Sequence, residues 1–244
     1  MDDTDGDSMF MSKPSEYCCT ANLNLYDSPQ CDRLATQAAI GRHLTLLSTP
    51  ETATAVRVRL CEEGYEGWLL KCDRPYLDRA STPYDFVPVS EAEIRDRIPK
   101  VIEFTRHAMS RPNCYLWGGT IGPNYDCSGL MQAAFLSVGI WLPRDAYQQE
   151  PFLKPIDRAA LQPGDLVFFG PPEKATHVGL YLGNNRYIHS SCAETGRNGI
   201  GIDELAENGD RVSEFYLRQL RGFRRVVESY CPSNSEFRVQ NSEF

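Results

Sequence analysis

The chain has 244 residues, with 25 Lys and Arg against 33 Asp and Glu, for a net charge of −8. A hydrophobic content of 41% with 11% aromatics excludes a mostly disordered chain. The acidic balance argues against a general nucleic-acid binder, which needs a basic face to displace phosphate counterions, so no nucleic-acid partner is expected.

Residues 1–16 read as a solvated acidic tail. Their start, Met1-Asp-Asp-Thr-Asp-Gly-Asp, lacks the basic beginning and apolar run of a secretory signal, so a cytoplasmic location is expected. From residue 17 to residue 82 the pattern is strand-like. Asn22-Leu-Asn-Leu-Tyr alternates polar and apolar before a turn at Asp27-Ser-Pro, and Val56-Arg-Val-Arg-Leu alternates strictly. Glu63-Gly-Tyr-Glu-Gly-Trp-Leu is a turn running into another strand. Few helix signals interrupt this stretch, which reads as a small all-β barrel.

Residues 83–90, with Pro83 and Pro88, form a linker. Ser90 and Glu93 make a capping box that opens a helix. Ile94, Ile98, Val101, Ile102 and Thr105 keep its period, and Pro99 predicts a break or a second start. Asp126-Cys-Ser precedes Gly129–Gly139, which is apolar on nearly all sides and reads as a buried helix; the apolar stretch runs on to Leu142. Gln132 and Ser137 interrupt it, and it falls short of the about 20 apolar residues of a membrane span. Strands are predicted at Asp165–Phe169, Val178–Leu182 and Arg186–His189, the last two joined by the turn Gly183-Asn-Asn. Gly222–Glu228 supplies a closing strand. Helices first and an antiparallel sheet second is an α+β order. Residues 231–244 repeat Asn-Ser-Glu-Phe and read as a tail.

The chemistry is expected at Cys127 and two histidines. Nine cysteines, an odd number without a C-x-x-C or zinc spacing, read as free thiols, and no metal or cofactor is expected. Most are packing residues, because free Cys behaves as a small hydrophobe. Cys127 differs by its place at a helix start, where unpaired N–H groups and the dipole favour a thiolate and lower the thiol pKa. His177 and His189 flank the predicted hairpin. A turn centred on 183 makes them directly opposed and one centred on 184 makes them diagonal; both put the imidazoles on one face. A thiol, a base and an orienting group are the parts of nucleophilic catalysis.

Taken together, Tyr115-Leu-Trp-Gly-Gly, Asp126-Cys-Ser-Gly-Leu, Leu142-Pro-Arg-Asp, Gln162-Pro-Gly-Asp-Leu-Val-Phe-Phe and Thr176-His-Val-Gly-Leu-Tyr resemble the NlpC/P60 family of cell-wall cysteine peptidases over residues 91–230. The β-rich front resembles a bacterial SH3 domain, and the two-domain arrangement looks most like the cyanobacterial γ-D-glutamyl-L-diamino acid endopeptidases. The resemblance implies a papain-like α+β catalytic domain behind an SH3-like barrel, with Cys127 as nucleophile, His177 as base and His189 orienting it. It places Tyr115 at the oxyanion hole.

The implied reaction is hydrolysis of the amide between the γ-carboxyl of D-Glu and a diamino acid in murein peptides. The implied substrate is a fragment such as L-Ala-γ-D-Glu-diaminopimelate, met during cell-wall recycling. Asp126 would pair with its free ammonium, Tyr65 and Asp73 would close the pocket, and Trp117 and Ser128 would lie near the D-Glu portion. Arg144 would also bind substrate; relatives often follow the Arg-Asp pair with Ser, where Ala146 stands here. No obligate protein partner is implied. The competing readings are a silent cell-wall-binding module and an amidase or acyl transferase on the same fold.

Overall fold

A computed structural model describes residues 15–48, 52–207 and 209–232. The acidic start up to residue 14 and the repeated Asn-Ser-Glu-Phe segment lie outside them.

The front part is a seven-stranded antiparallel sheet. Its strands are β1 (Glu16–Cys19), β2 (Leu23–Tyr26), β3 (Leu34–Ala38), β4 (His43–Leu46), β5 (Ala55–Leu60), β6 (Glu66–Leu70) and β7 (Leu77–Arg79). Their order is β3-β2-β6-β5-β4-β1-β7. The alternation in the sequence decides which side is buried: Leu23 and Leu25, Val56, Val58 and Leu60 all turn into one core with Leu44 and Leu69. Glu16 already pairs with Thr45, so the strand pattern begins one residue inside the expected tail.

Helix α1 (Glu91–Ser110) starts at the capping box, with Ser90 accepting from the Glu93 amide and Glu93 accepting from the Ser90 amide. Contrary to expectation it runs through Pro99 without a second start. Pro99 lies on the exposed side, while Ile94, Val101, Thr105 and Ala108 are buried against the rest of the domain. Burial of that stripe outweighs the lost backbone bond and ring clash, which together cost about 3 kcal/mol.

The second sheet has six antiparallel strands in the order β12-β11-β10-β9-β13-β8. They are β8 (Lys154–Ile156), β9 (Leu166–Phe169), β10 (His177–Gly183), β11 (Arg186–Ser191), β12 (Gly199–Glu204) and β13 (Leu220–Arg225). Helix α2 (Cys127–Leu136) crosses one face and packs on β10 and β11. A short helix α3 (Ala146–Phe152) follows it, and α4 (Arg211–Leu217) covers the other face. Both faces being covered explains why β9, Leu-Val-Phe-Phe, is buried throughout: Leu166 and Phe168 join the α1/α2 core, and Val167 and Phe169 join the α4 side. β8, β12, α3 and α4 carry no strong periodicity in the sequence, which is why they were not expected.

The two parts share a polar junction. Edge strand β3 docks on the loop before α2: Gln37 accepts from the amides of Thr120 and Ile121 at 3.1 Å, and the Thr120 hydroxyl donates to the Gln37 carbonyl. Arg144 donates from Nε to Thr36 Oγ1 at 2.9 Å. Below this, Arg42 pairs with Glu62 and Glu63 and lies over the Trp141 ring, and Gln132 donates to Glu63. Covering an otherwise unpaired sheet edge in this way also positions the front domain over the N-terminus of α2.

Candidate active site

Cys127 is the first residue of α2, and Asp126 is its N-cap. Gly129 is required one turn on, since a Cβ there would meet the Gly119 carbonyl at 2.0 Å; its absence lets the 115–126 loop sit directly on the helix. The Cys127 sulfur lies against the backbone N–H groups of Val178 and Ser128, so it sits next to the start of β10, where His177 is.

The hairpin register settles the histidine geometry. Tyr181 pairs with Tyr187 and Leu180 with Ile188, which centres the turn on 184 and makes His177 and His189 diagonal partners on one face. Asn184 and Asn185 take the left-handed backbone that such a two-residue turn requires. His177 Nε2 lies 2.6 Å from His189 Nδ1. His189 Nε2 in turn lies 2.5 Å from Asp203 Oδ2 on β12. Tyr216 of α4 stacks on the His177 ring at 4.2 Å and meets His189 edge-on. Asp203 was not anticipated; the signal was its place in β12 opposite Tyr187, which needed the unpredicted strand.

The electrostatics reverse one expectation. The thiol is not lowered by the helix start: burial, aided by the nearby Asp126 carboxylate, pushes Cys127 up to about 12, outweighing the N–H groups of Val178 and Ser128. Burial also holds His177 well below its ordinary value, with the neighbouring His189 acting in the same direction. The resting pair is therefore a neutral thiol beside a neutral imidazole. His177 uses Nε2 toward His189, which leaves Nδ1 as its other ring nitrogen.

A cavity of about 410 Å³ opens over Cys127, lined from the barrel by Asp27, Arg33 and Tyr65 and from the second domain by Tyr115, Trp117, Asp126, Ser128, Asp145 and Tyr147. Trp117 stands at it 54% exposed, with the Arg33 guanidinium 4.5 Å over its ring. Tyr115 is close enough to Cys127 and Asp126 to feel both, and burial raises its hydroxyl.

Two expected contacts, Asp73 and Arg144, are placed differently, and a third, Asp126, is in place but already engaged. Asp73 does not line this cavity; it lies half-buried in the short 3-10 helix Lys71–Tyr76. Arg144 is 1% exposed and its donors are taken by Asp126, Ser128 and Thr36, so it holds the site together from behind and does not face substrate. Asp126 lines the cavity, but its oxygens already accept from Arg144, Ser128 and the amides of Gly118 and Gly129. Asp145, which sequence reasoning left unassigned, is a third carboxylate lining the space: it accepts from the Tyr65 and Tyr147 hydroxyls, and Arg144 comes no closer than 4.0 Å.

Comparison with known proteins finds relatives of both parts of the chain. Residues 112–217 match the NlpC/P60 family, and residues 25–73 match the bacterial dipeptidyl-peptidase SH3 domain. A γ-D-glutamyl-L-lysine dipeptidyl-peptidase of Bacillus cereus is 29% identical over 83% of this chain and 55% of its own length. Its namesake in Bacillus subtilis is 34% identical over 67% of this chain and 51% of its own. A probable endopeptidase NlpC homolog of Haemophilus influenzae is 44% identical over 46% of this chain and 55% of its own. A solved NlpC/P60 family structure from Bacillus cereus covers 87% of this chain and 64% of its own at 28% identity, with a TM-score of 0.47. The chain spans about half the length of the curated relatives it matches. Among the described residues no helix is long and apolar enough to cross a membrane. Residues 112–217 thus form an NlpC/P60 family domain, with a bacterial SH3 domain joined in front of it.

Proposed function

We propose that this protein hydrolyses the amide between the γ-carboxyl of D-Glu and a diamino acid in small murein peptides that begin with a free L-Ala. The observation that carries this reading is the junction cavity, where the Cys127 thiol and the Asp145 carboxylate line one chamber shared by both domains, with the buried base His177 next in chain to its wall residue Thr176. The relatives named for γ-D-glutamyl-L-lysine cleavage support the bond type.

The ammonium of L-Ala belongs at Asp145. A free amine entering a desolvated pocket needs a carboxylate to offset lost hydration. Asp27 is paired with Arg33, and Asp126 with Arg144. Burial raises Asp145, a cost that an incoming cation removes. Tyr65 brings the barrel into the same contact, so the front domain closes the amine end. A closed end favours short fragments over intact wall and fits recycling. Ala146 carries no hydroxyl, and the cations Arg33 and Lys174 lining the cavity are the groups available for the substrate carboxylates.

In the reaction, the Cys127 proton passes to His177 Nδ1 as sulfur attacks the γ-carbonyl carbon. The Tyr115 hydroxyl and the Cys127 amide are positioned to donate to the oxyanion. The His177 imidazolium then gives its proton to the leaving diamino acid, and water, deprotonated by His177, releases the acyl group.

The test is mass spectrometry of products from L-Ala-γ-D-Glu-diaminopimelate and from the same peptide N-acetylated. Free diaminopimelate from the first alone, lost in Cys127→Ala, is the expected result. Cleavage of both would remove the amine pocket, and cleavage of neither by reduced protein would remove the peptidase.

A further inference from the structure

The two histidines end on a carboxylate that, among the described residues, also accepts from Arg197 and Ser213. Arg197 donates to Asp203 from Nε to Oδ2 at 3.1 Å and from Nη2 to Oδ1, and Ser213 donates to Oδ1 at 3.2 Å. Arg197 Nη2 is itself anchored on Asp210 at 2.5 Å. His189 and Asp203 are 0% and 1% exposed, so no solvent can exchange for either partner.

We propose that Asp203 is a positioning residue that sets the tautomers of His189 and His177 in series and so leaves His177 Nδ1 as the base. Each nitrogen–nitrogen contact holds one proton, so its polarity has two settings. An ionised Asp203 can only accept, so His189 carries its proton on Nε2. His189 Nδ1 is then a bare acceptor, which forces the proton of His177 onto Nε2. The unprotonated nitrogen that remains is His177 Nδ1. The opposite polarity would turn lone pairs toward the carboxylate at 2.5 Å.

The ionisation of Asp203 is the origin of that polarity. Burial alone would raise its carboxyl, but hydrogen bonds from His189 and Arg197 hold it below the ordinary carboxylate range. Tyr187 on β11 and Tyr216 on α4 flank the histidines, Cys127 and Tyr115 lie on the thiol side, and Asp210 stands behind Arg197. When His177 becomes an imidazolium during turnover, Asp203 is the one carboxylate among the described residues in direct contact with the pair. The catalytic consequence rests on the cysteine-hydrolase reading; the tautomer order does not.

Nitrogen-15 spectra of labelled histidine in the full chain at neutral pH, with the inert Cys127→Ala variant as a second sample, read the order directly. Protonated Nε2 and bare Nδ1 on both His177 and His189 is the expected result, and a protonated Nδ1 on either overturns the proposal. In Asp203→Asn the amide oxygen is drawn to Arg197 and Ser213, turning Nδ2–H toward His189 Nε2 and reversing both tautomers. The expected kinetic result is a fall in kcat of about 10²–10⁴-fold, as for a triad with the wrong tautomer, at nearly constant KM. Because the lost charge favours neutral His177, the acid limb of the pH profile of residual activity, where the base becomes protonated, moves to lower pH. Partial recovery in Asp203→Glu is expected, whereas kcat within twofold of wild type in Asp203→Asn overturns the role. Absence of any wild-type cleavage would sink the hydrolase reading alone, since the spectra still decide the relay.

Discussion

Arg144 grips both carboxylate oxygens of Asp126, at 3.2 Å and 2.6 Å, in a pocket where neither side chain is more than 9% exposed. The same guanidinium reaches Thr36 of the barrel and Ser128 of α2, so one ion pair joins the cap of the nucleophile helix to the front domain. Asp126→Ala leaves that guanidinium buried without its counter-charge. Breaking a buried pair from one side costs about 3–5 kcal/mol, and removal of the cap adds about 1 kcal/mol. Chemical denaturation is expected to show a loss of that order. A loss under 1 kcal/mol would mean that water or another carboxylate reaches Arg144.

Asp145→Asn has the opposite signature. It keeps the shape and the tyrosine contacts but removes the charge facing the cavity, so stability changes little. KM for the tripeptide with a free amine is expected to rise by at least tenfold, while the already poor N-acetylated peptide is unaffected. If discrimination between the two peptides survives, the ammonium binds elsewhere.

Asp145 also marks how far the sequence could be read. The motif around Cys127 and the spacing of His177 and His189 pointed to the chemistry, because both depend on local order along one helix and one hairpin. Hairpin parity alone puts the imidazoles on one face. What escaped was set by contacts across long separations. Asp203 needed β12 laid beside β11, Arg144 needed β3 of another domain, and the thiol's burial needed the whole 115–126 loop folded over α2. The helix start argued for a lowered thiol; burial of the sulfur outweighed it.

That reversal predicts how the free enzyme reacts with iodoacetamide. With the thiol pushed up to about 12, Cys127 alkylation is slow at pH 7 and climbs steadily with pH above 9. An ion pair would instead give a fast, flat rate reaching down to acidic pH. Mass spectrometry of the peptide containing Cys127, followed across pH 5–10, separates the two, and a plateau at low pH would refute the neutral pair.

The buried imidazoles also tie stability to pH. Burial, the first cause in each, lowers both His177 and His189 below the ordinary value of 6.5. In the unfolded chain both titrate near 6.5. Above that pH they are neutral in both states and contribute no slope. Below it the unfolded chain takes up protons that the folded one refuses, so stability falls as pH drops from about 6.5 toward the folded values. Asp203, held low by its partners, adds a further loss only at more acidic pH, below its ordinary 3.8. Tm is therefore expected to fall between pH 7 and pH 5. Calorimetry in two buffers of different ionisation heat should show up to two protons taken up on unfolding at about pH 5.5. His189→Gln removes one of these protons while an amide can still bridge His177 and Asp203, so its uptake should be smaller. Equal uptake in the variant and wild type would show that the protons enter elsewhere in the chain.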